Sequence, residues 1–554
     1  MPLKREGEAE EPLHLTEVTG VSSSLNKPVS QPSVRIIALA AFAAFLVKIA
    51  LALRTYGTND VYTFEKFWHW SQYLGVGLYR VAWDYNHPPF MLHMLRAMGW
   101  LAEITQIPFS FWLRVPGIVA DPITLLLVWK TLGSRAQERS VRWALLLLAI
   151  APPLILVSGF HGNTDTIMVM FLVLTTHLIE KGRTWLAGAA FALAMSFKVV
   201  PVLMIPVILL NLGSHRRRLV FFGVAGTALL LLWSPYVFQD PFAVVRKTIG
   251  YRSLYGQWGL SYLAERYLSS QNWINRILRS LGAYLLVAAI ARLAVWMNHI
   301  HPKPSLFSQM GFVFFFFMAL SNGFGVQYLT WLVPWAVGLG AVPVALYYLT
   351  SGAFLLLVYN YWSEGFPWYL ADSNRVLGYQ SHLAYFQLLC WLTVVYLLVV
   401  AWKQIQGSKL SEPGLARRIP DWDRWVALPL CALLLMAFPV ARHLSRDSRP
   451  HGRREGDRAL RSVRARQSSE MSSQLYAAHR YPEAISTSRQ ALALDPTDAD
   501  AYSSIAASSA ALGLWDQAIE NAQQALRIQP DSSQAQQALA RARERQRESH
   551  HDRP

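Results

Sequence analysis

The chain has 554 residues, of which 53% are hydrophobic and 13% aromatic but only 15% charged, where a soluble domain carries about a quarter. That deficit excludes an ordinary soluble globule. The net charge of +17 sits in short loops between apolar runs, so anionic headgroups and the positive-inside bias explain it better than nucleic acid does. The two cysteines, Cys390 and Cys431, lie within apolar runs, which excludes a disulfide framework.

Residues 1–33 are polar, acidic at first and Ser/Pro-containing later, and are expected to form a disordered tail. The first apolar run, 36–53, has no small-residue cleavage site after it and reads as a signal anchor. It opens a membrane domain over 34–441, with further runs at 141–160, 219–238, 281–298 and 382–402, each near the ~20 residues a helix needs to cross hydrocarbon. Charge divides the intervening loops into two sets. Arg135/Arg139/Arg142, Lys181/Arg183, Arg216/Arg217/Arg218 and the stretch 403–418 read as cytoplasmic; the loops 56–87, 159–165, 321–328 and 362–381 carry little positive charge and read as the outer face. The long loop 239–279 breaks the trend with several basic residues. The alternation gives about 13 spans, provided that 89–103, with His93, Arg96 and Glu103, lies at the interface. A non-barrel membrane domain must be all-α, because hydrocarbon leaves no other way to satisfy the backbone.

After a last run at 425–440 comes an Arg-rich linker, 442–466, and then a repeat with a 34-residue period over 467–548. Tyr481/Trp515, Ala484/Ala518, Ala491/Ala525, Leu492/Leu526 and Pro496/Pro530 recur at that spacing, with small residues where two helices touch and a terminal proline. This is the pattern of tetratricopeptide repeats, with 532–548 as a closing polar helix. Two repeats are marginal alone, so linker, cap or dimer must support them.

The first outer loop is the most informative segment: Asn59-Asp60, then Trp68 and Trp70, then Asp84-Tyr85-Asn86-His87-Pro88-Pro89. His161-Gly162-Asn163-Thr164-Asp165 opens a later span, Lys198-Val199-Val200-Pro201 breaks another, and Gln327-Tyr328 precedes Trp331 and Pro334. In order and sidedness these segments over about residues 35–400 resemble the GT-C superfamily of integral membrane glycosyltransferases, in particular its polyprenol-phosphate mannosyltransferase-like members. The resemblance implies a lipid-phosphate sugar donor, such as a polyprenyl-phosphate mannose, and an acidic residue of the first outer loop as catalytic base.

The chemistry can also be argued directly. A hydroxyl attacking an anomeric carbon needs a base for its proton. The phosphate is already a good leaving group, so one carboxylate with nearby cations suffices, unlike the carboxylate pair of a glycoside hydrolase. Asp60 is the expected base and Asp84 the runner-up, and each has a structural alternative as a helix cap or turn residue. Lys198, Arg252 and Lys247, with Arg246 as a further candidate, are expected to hold the donor phosphate. Lys198 is costly between two apolar stretches, although it could instead snorkel to headgroups. Asn59, His87, His161, Asp165, Gln327 and Tyr328 are expected to bind sugar or acceptor or to orient the base.

No metal-ligand spacing accompanies these histidines and aspartates, so no cofactor is expected beyond the donor. Trp68, Trp70 and Trp258 read as an interfacial aromatic belt or, less simply, as sugar platforms. Arg114 and Asp121, seven apart on one helical face, read as a polar contact within the bundle.

The function implied is transfer of a sugar from a polyprenyl-phosphate donor to a glycan, lipid or protein on the outer face, with the repeats recruiting a protein partner. The alternative, a transporter or flippase of lipid-linked sugars with a scaffolding tail, lacks the repeated halves such proteins show. No Asn-x-Ser/Thr sequon occurs, which favours a bacterial plasma membrane. An odd span count puts the tail outside; the arginines between 442 and 454 argue for inside.

Overall fold

The computed structural model describes residues 31–551 except 83, 252, 270, 375–380 and 408–452. The expected disordered tail, for residues 1–30, and the apolar run at 425–440 lie outside the described residues. What is described is an all-α polytopic bundle, in which the β structure is confined to two pairs of two-residue strands.

Among the described residues, five helices are long and apolar enough to cross a membrane: Val34–Arg54, Phe109–Gln137, Arg139–His161, Ala341–Trp362 and Leu383–Gly407. The pair Trp273–Ser280 and Gly282–Asn298, bent by 68°, makes a sixth if counted as one, and Thr184–Phe197, Val200–Asn211 and Leu306–Leu320 are shorter apolar helices. The helix Val34–Arg54 shows why such segments form. Its Ala/Leu/Ile run satisfies its own backbone in hydrocarbon, the Ser33 hydroxyl accepts from the Ile36 amide at the start, and Arg54 meets the carbonyl end.

The two loop classes separated by charge gather at the two ends of these helices. At the basic end Arg135 donates to the Gly338 carbonyl at 2.9 Å, the Ala341 amide to Ser140 at 2.9 Å, and Gln404 to Gly338 at 3.1 Å. At the other end Thr58 donates to the His161 carbonyl at 2.8 Å and Tyr62 to Asp372 at 3.1 Å. Gly57–Thr58 pairs in parallel with Leu370–Ala371, and Leu254–Tyr255 pairs antiparallel with Gly323–Phe324. All four poorly charged loops therefore meet in one layer, together with the long loop that broke the charge trend.

Arg114 and Asp121 are both buried, but they do not contact each other as their spacing suggested. Arg114 donates to the carbonyls of Ser110, Ala52, Thr55, Gly159 and Phe160, joining three helix ends. Asp121 pairs instead with Lys48 at 2.5 Å and accepts from Ser158 at 2.6 Å. A separation of seven places both on one helical face, yet the guanidinium reaches toward the outer loops and finds carbonyls there first.

Beyond the bundle lie five further helices, Arg453–Ala477, Tyr481–Leu494, Ala499–Ala511, Trp515–Ile528 and Ser533–His551, each packed on the next. The first of them begins inside the stretch read as a linker, because Ala459, Leu460 and Val463 bury against the bundle while the arginines between them face outward or pair.

Candidate active site

The site is built at the start of the outer helix Asn59–Leu74. Thr58 is its cap: the hydroxyl accepts from the Asp60 amide at 3.3 Å and donates to the His161 carbonyl. Two glycines let this turn press on the loop 160–163. Gly57 has φ +109°, and a Cβ there would lie 2.7 Å from the Phe160 carbonyl; Gly162 has φ +81°, and its Cβ would lie 2.5 Å from Val61. The close approach brings Asp60 onto His161 and Asn163.

One oxygen of Asp60, Oδ2, takes both contacts, from Asn163 Nδ2 at 2.6 Å and His161 Nε2 at 3.0 Å. No described residue hydrogen-bonds Oδ1, and the side chain keeps 29% exposure, on the wall of a cavity of about 740 Å³. Burial disfavours the Asp60 charge, but His161, Lys198 and the Asn163 amide outweigh it and lower the carboxyl to about 2. Because an ionised carboxylate only accepts, His161 Nε2 carries the proton. The other ring nitrogen, Nδ1, lies 2.9 Å from the Tyr359 hydroxyl.

Lys198 lines the same cavity. The helix Thr184–Phe197 ends at this residue, whose backbone is extended before a short 3-10 turn containing Pro201, so the ammonium leaves the apolar wall. Lys198 Nζ lies 3.4 Å from Asp165 Oδ2 and 5.8 Å from the Tyr328 ring. Asp165 is fully buried, and its other oxygen accepts from Trp331 Nε1 at 2.6 Å.

Several of the other expected residues also reach the cavity. Asp84, His87, Gln327 and Tyr328 line it. Asp84 Oδ2 is held by Lys66 at 2.5 Å, while its Oδ1 is buried without a hydrogen-bond partner among the described residues. His87 packs on Phe64 and Tyr85; burial, then Lys198, lowers its ring to about 3, so it is neutral at physiological pH. Tyr328 stacks on Trp331 with centroids 4.1 Å apart.

The rest stand back from the wall. His161 and Asp165 act from behind, on Asp60 and Lys198 respectively. Asn59 accepts from Ser373 at 3.0 Å and so ties the outer helix to the loop after Leu370–Ala371. Lys247 donates to the Ala82 carbonyl at 3.1 Å, Arg246 is exposed, and Arg252 lies outside the described residues.

Trp68, Trp70 and Trp258 are buried packing residues, neither belt nor sugar platform: Trp68 stacks on Phe109 and Trp258 on Phe324. Sequence reading passed over Arg279, which lines the cavity, pairs with Glu265 at 2.6 Å and lies over the Tyr255 ring. Its only signal was the excess charge of the loop 239–279. Among the described residues no cluster of three or more His, Cys, Asp or Glu side chains is arranged to hold a metal ion.

Asp60 and Asp84 therefore share the wall of one cavity in this helical membrane bundle with the cations Lys198 and Arg279. Residues 86–238 match the family model described as dolichyl-phosphate-mannose-protein mannosyltransferase. That segment holds His87, His161, Asn163, Asp165 and Lys198 and begins after Asp60. The chain is also 26% identical over 127 residues to GPI mannosyltransferase 1 of Saccharomyces cerevisiae, a match covering 20% of this chain and 31% of the yeast protein. Both matches are to proteins described as mannosyltransferases, and each covers well under half of this chain.

Proposed function

We propose that the protein transfers a sugar, mannose in the first instance, from a polyprenyl-phosphate donor to a hydroxyl acceptor in the 740 Å³ cavity. The observation that carries this reading is that Asp60, with one oxygen tied and the other facing the cavity, shares its wall with Lys198. In the reaction the acceptor oxygen bonds to the anomeric carbon as the bond from that carbon to the phosphate oxygen breaks. The acceptor proton passes to Asp60 Oδ1, and the lipid phosphate departs with the bonding electrons. Lys198 and Arg279 meet the phosphate charge. Nothing else on the wall acts as a second carboxylic acid, since Asp84 is engaged by Lys66. A single displacement inverts the anomeric configuration.

A carboxyl held near 2 is a weak base in the resting site. It serves here because a hydroxyl becomes strongly acidic only as its oxygen bonds to carbon, so the proton moves late, and Asp60 is never lost to prior protonation. The cavity sits at the weakly charged end of the bundle, which by the positive-inside rule is the outer face, and a bacterial plasma membrane suits the absence of sequons. The tail helices, read as tetratricopeptide repeats, recruit a protein partner or acceptor on that face.

The test uses the protein in proteoliposomes with polyprenyl-phosphate [³H]mannose, following loss of label from the donor. Wild-type protein should turn the donor over, and Asp60→Asn should lower that rate by about 10²-fold or more with the protein still folded. Full activity in the variant removes Asp60 from the role. Donor that crosses the vesicle wall intact, with no transfer, would replace the transferase reading by the flippase one.

A further inference from the structure

The first tail helix, Arg453–Ala477, and Arg480 just past it are seated on the helix that carries Asp60, at points before it, in its middle and in its last turn. Before it, Asp457 accepts from the Tyr369 hydroxyl at 2.7 Å, and the Tyr369 carbonyl accepts from the amides of Tyr56 and Gly57 at 2.8 and 3.1 Å. The tail helix and the loop before Leu370–Ala371 are so close there that a Cβ on Gly456 would lie 2.4 Å from the Tyr369 ring.

Within the outer helix, Arg464 forks onto Glu65, Nη2 reaching Oε1 at 2.8 Å and Oε2 at 2.9 Å, with Nε at 3.2 Å from Oε2. The Tyr56 hydroxyl donates to the same carboxylate at 2.7 Å. In the last turn of the outer helix, the Tyr73 carbonyl accepts from Arg480, just past the tail helix, at 2.6 Å.

These contacts are more than surface ones. The Glu65 side chain is only 11% exposed, so without Arg464 it would be a buried charge lacking its cation. Leu460, Met471 and Leu475 join the same apolar core as Val61, Phe64 and Phe67. On the same tail helix burial pushes the Glu470 carboxyl up, with Lys66 lowering it and Asp84 raising it. Asp60 begins the helix that is gripped in this way, one to two turns ahead of Glu65.

We propose that the tail is a working part of the site: Arg464, through Glu65 and the outer helix, is a positioning residue for Asp60, so that turnover requires the tail to be seated. The inference rests on the reading of Asp60 as base. It makes the tail a coupling device, because a partner that lifts the first tail helix would also release the helix carrying the base.

Full-length Arg464→Met, Arg464→Lys and the exchange variant Glu65→Arg with Arg464→Glu are assayed with polyprenyl-phosphate [³H]mannose, beside Asp60→Asn. Arg545→Ala, in an exposed pair at the far end of the tail, serves as the control. Arg464→Met is expected to lower kcat at least tenfold with donor KM within twofold. Arg464→Lys should recover part of the loss, the exchange should return kcat to within threefold of wild type, and Arg545→Ala should leave it unchanged. A kcat within twofold of wild type in Arg464→Met, a loss confined to KM, or an exchange variant no better than the single ones overturns the proposal. If Asp60→Asn keeps turnover, it is the base assignment that fails, whichever way Arg464 behaves. Should Arg464→Met not fold, the lysine and exchange variants carry the same comparison.

Discussion

At the scale of single residues the site is a matter of which oxygen is left over. Asp60 Oδ2 holds His161 and Asn163, and His161 is in turn held by Tyr359, so the imidazole is fixed from both sides and fixes the carboxylate. His161 is the largest of the influences that lower the Asp60 carboxyl. Removing it as His161→Ala should therefore raise that carboxyl toward the ordinary 3.8 or above, since burial is then less opposed. The acid limb of the pH–rate profile should move to higher pH, with kcat lower across the plateau; an acid limb that stays put would show that His161 does not act through Asp60. Stability follows the same sign. A carboxyl lowered on folding contributes stability that is fully present above its unfolded value and fades as pH falls through about 2. The wild type should thus hold its Asp60 contribution well into acid, and His161→Ala should lose it sooner.

At the scale of elements the decisive events are broken helices, and they explain what sequence could and could not reveal. The long apolar runs were legible because hydrocarbon permits only one way to satisfy their backbones: 36–53 and 382–402 each fall on one helix and 281–298 does so from its second residue, while 141–160 and 219–238 are helical with breaks at 150–151 and 234–235. The breaks were legible only where a polar residue interrupted an apolar stretch. Lys198 is the clear case, placed at a helix end beside Asp165 at the N-terminus of Asp165–Glu180. That Asp165 contacts Lys198 and Trp331 could not be read from a motif, because it depends on which helix stands behind which. Arg114 was obscure for the same reason, since most of its carbonyl partners, Ala52, Thr55, Gly159 and Phe160, lie on other elements distant in the chain.

The Lys198–Asp165 pair yields a test of element-level design. Lys198→Met leaves a fully buried aspartate with only Trp331 to meet it, a loss on the order of 3–5 kcal/mol for a broken buried pair, and should reduce both folded yield and turnover. Adding Asp165→Asn removes the stranded charge and should restore yield without restoring turnover. Recovery of turnover in the double variant would deny Lys198 any part with the donor phosphate.

At the scale of the whole molecule the question is which side the tail occupies, and the two ends of the bundle answer it differently from the linker's arginines. Gln404, near the end of Ser381–Gly407, bonds Gly338 at the basic end, whereas Arg464 and Arg480 bond the outer helix at the end that holds Asp60. A helix of membrane-crossing length separates these ends by about 30 Å. Of the arginines that argued for the inside, Arg442, Arg446 and Arg449 lie outside the described residues. Arg464 is consumed by Glu65, a partner 399 residues away in the chain, which no count of loop charges can register.

This arrangement predicts sidedness. In intact bacterial spheroplasts a cysteine introduced at the exposed tail residue Gln529 should react with a membrane-impermeant maleimide. One at the exposed Arg216, in the first turn of His215–Trp233, should react only after lysis. Wild-type protein provides the background, with Cys390 buried. Labelling of Arg216→Cys without lysis, with Gln529→Cys protected, would invert the bundle. Labelling of both positions only after lysis would separate the tail from the outer loops, and so remove the physical basis for its hold on the helix that begins with Asp60.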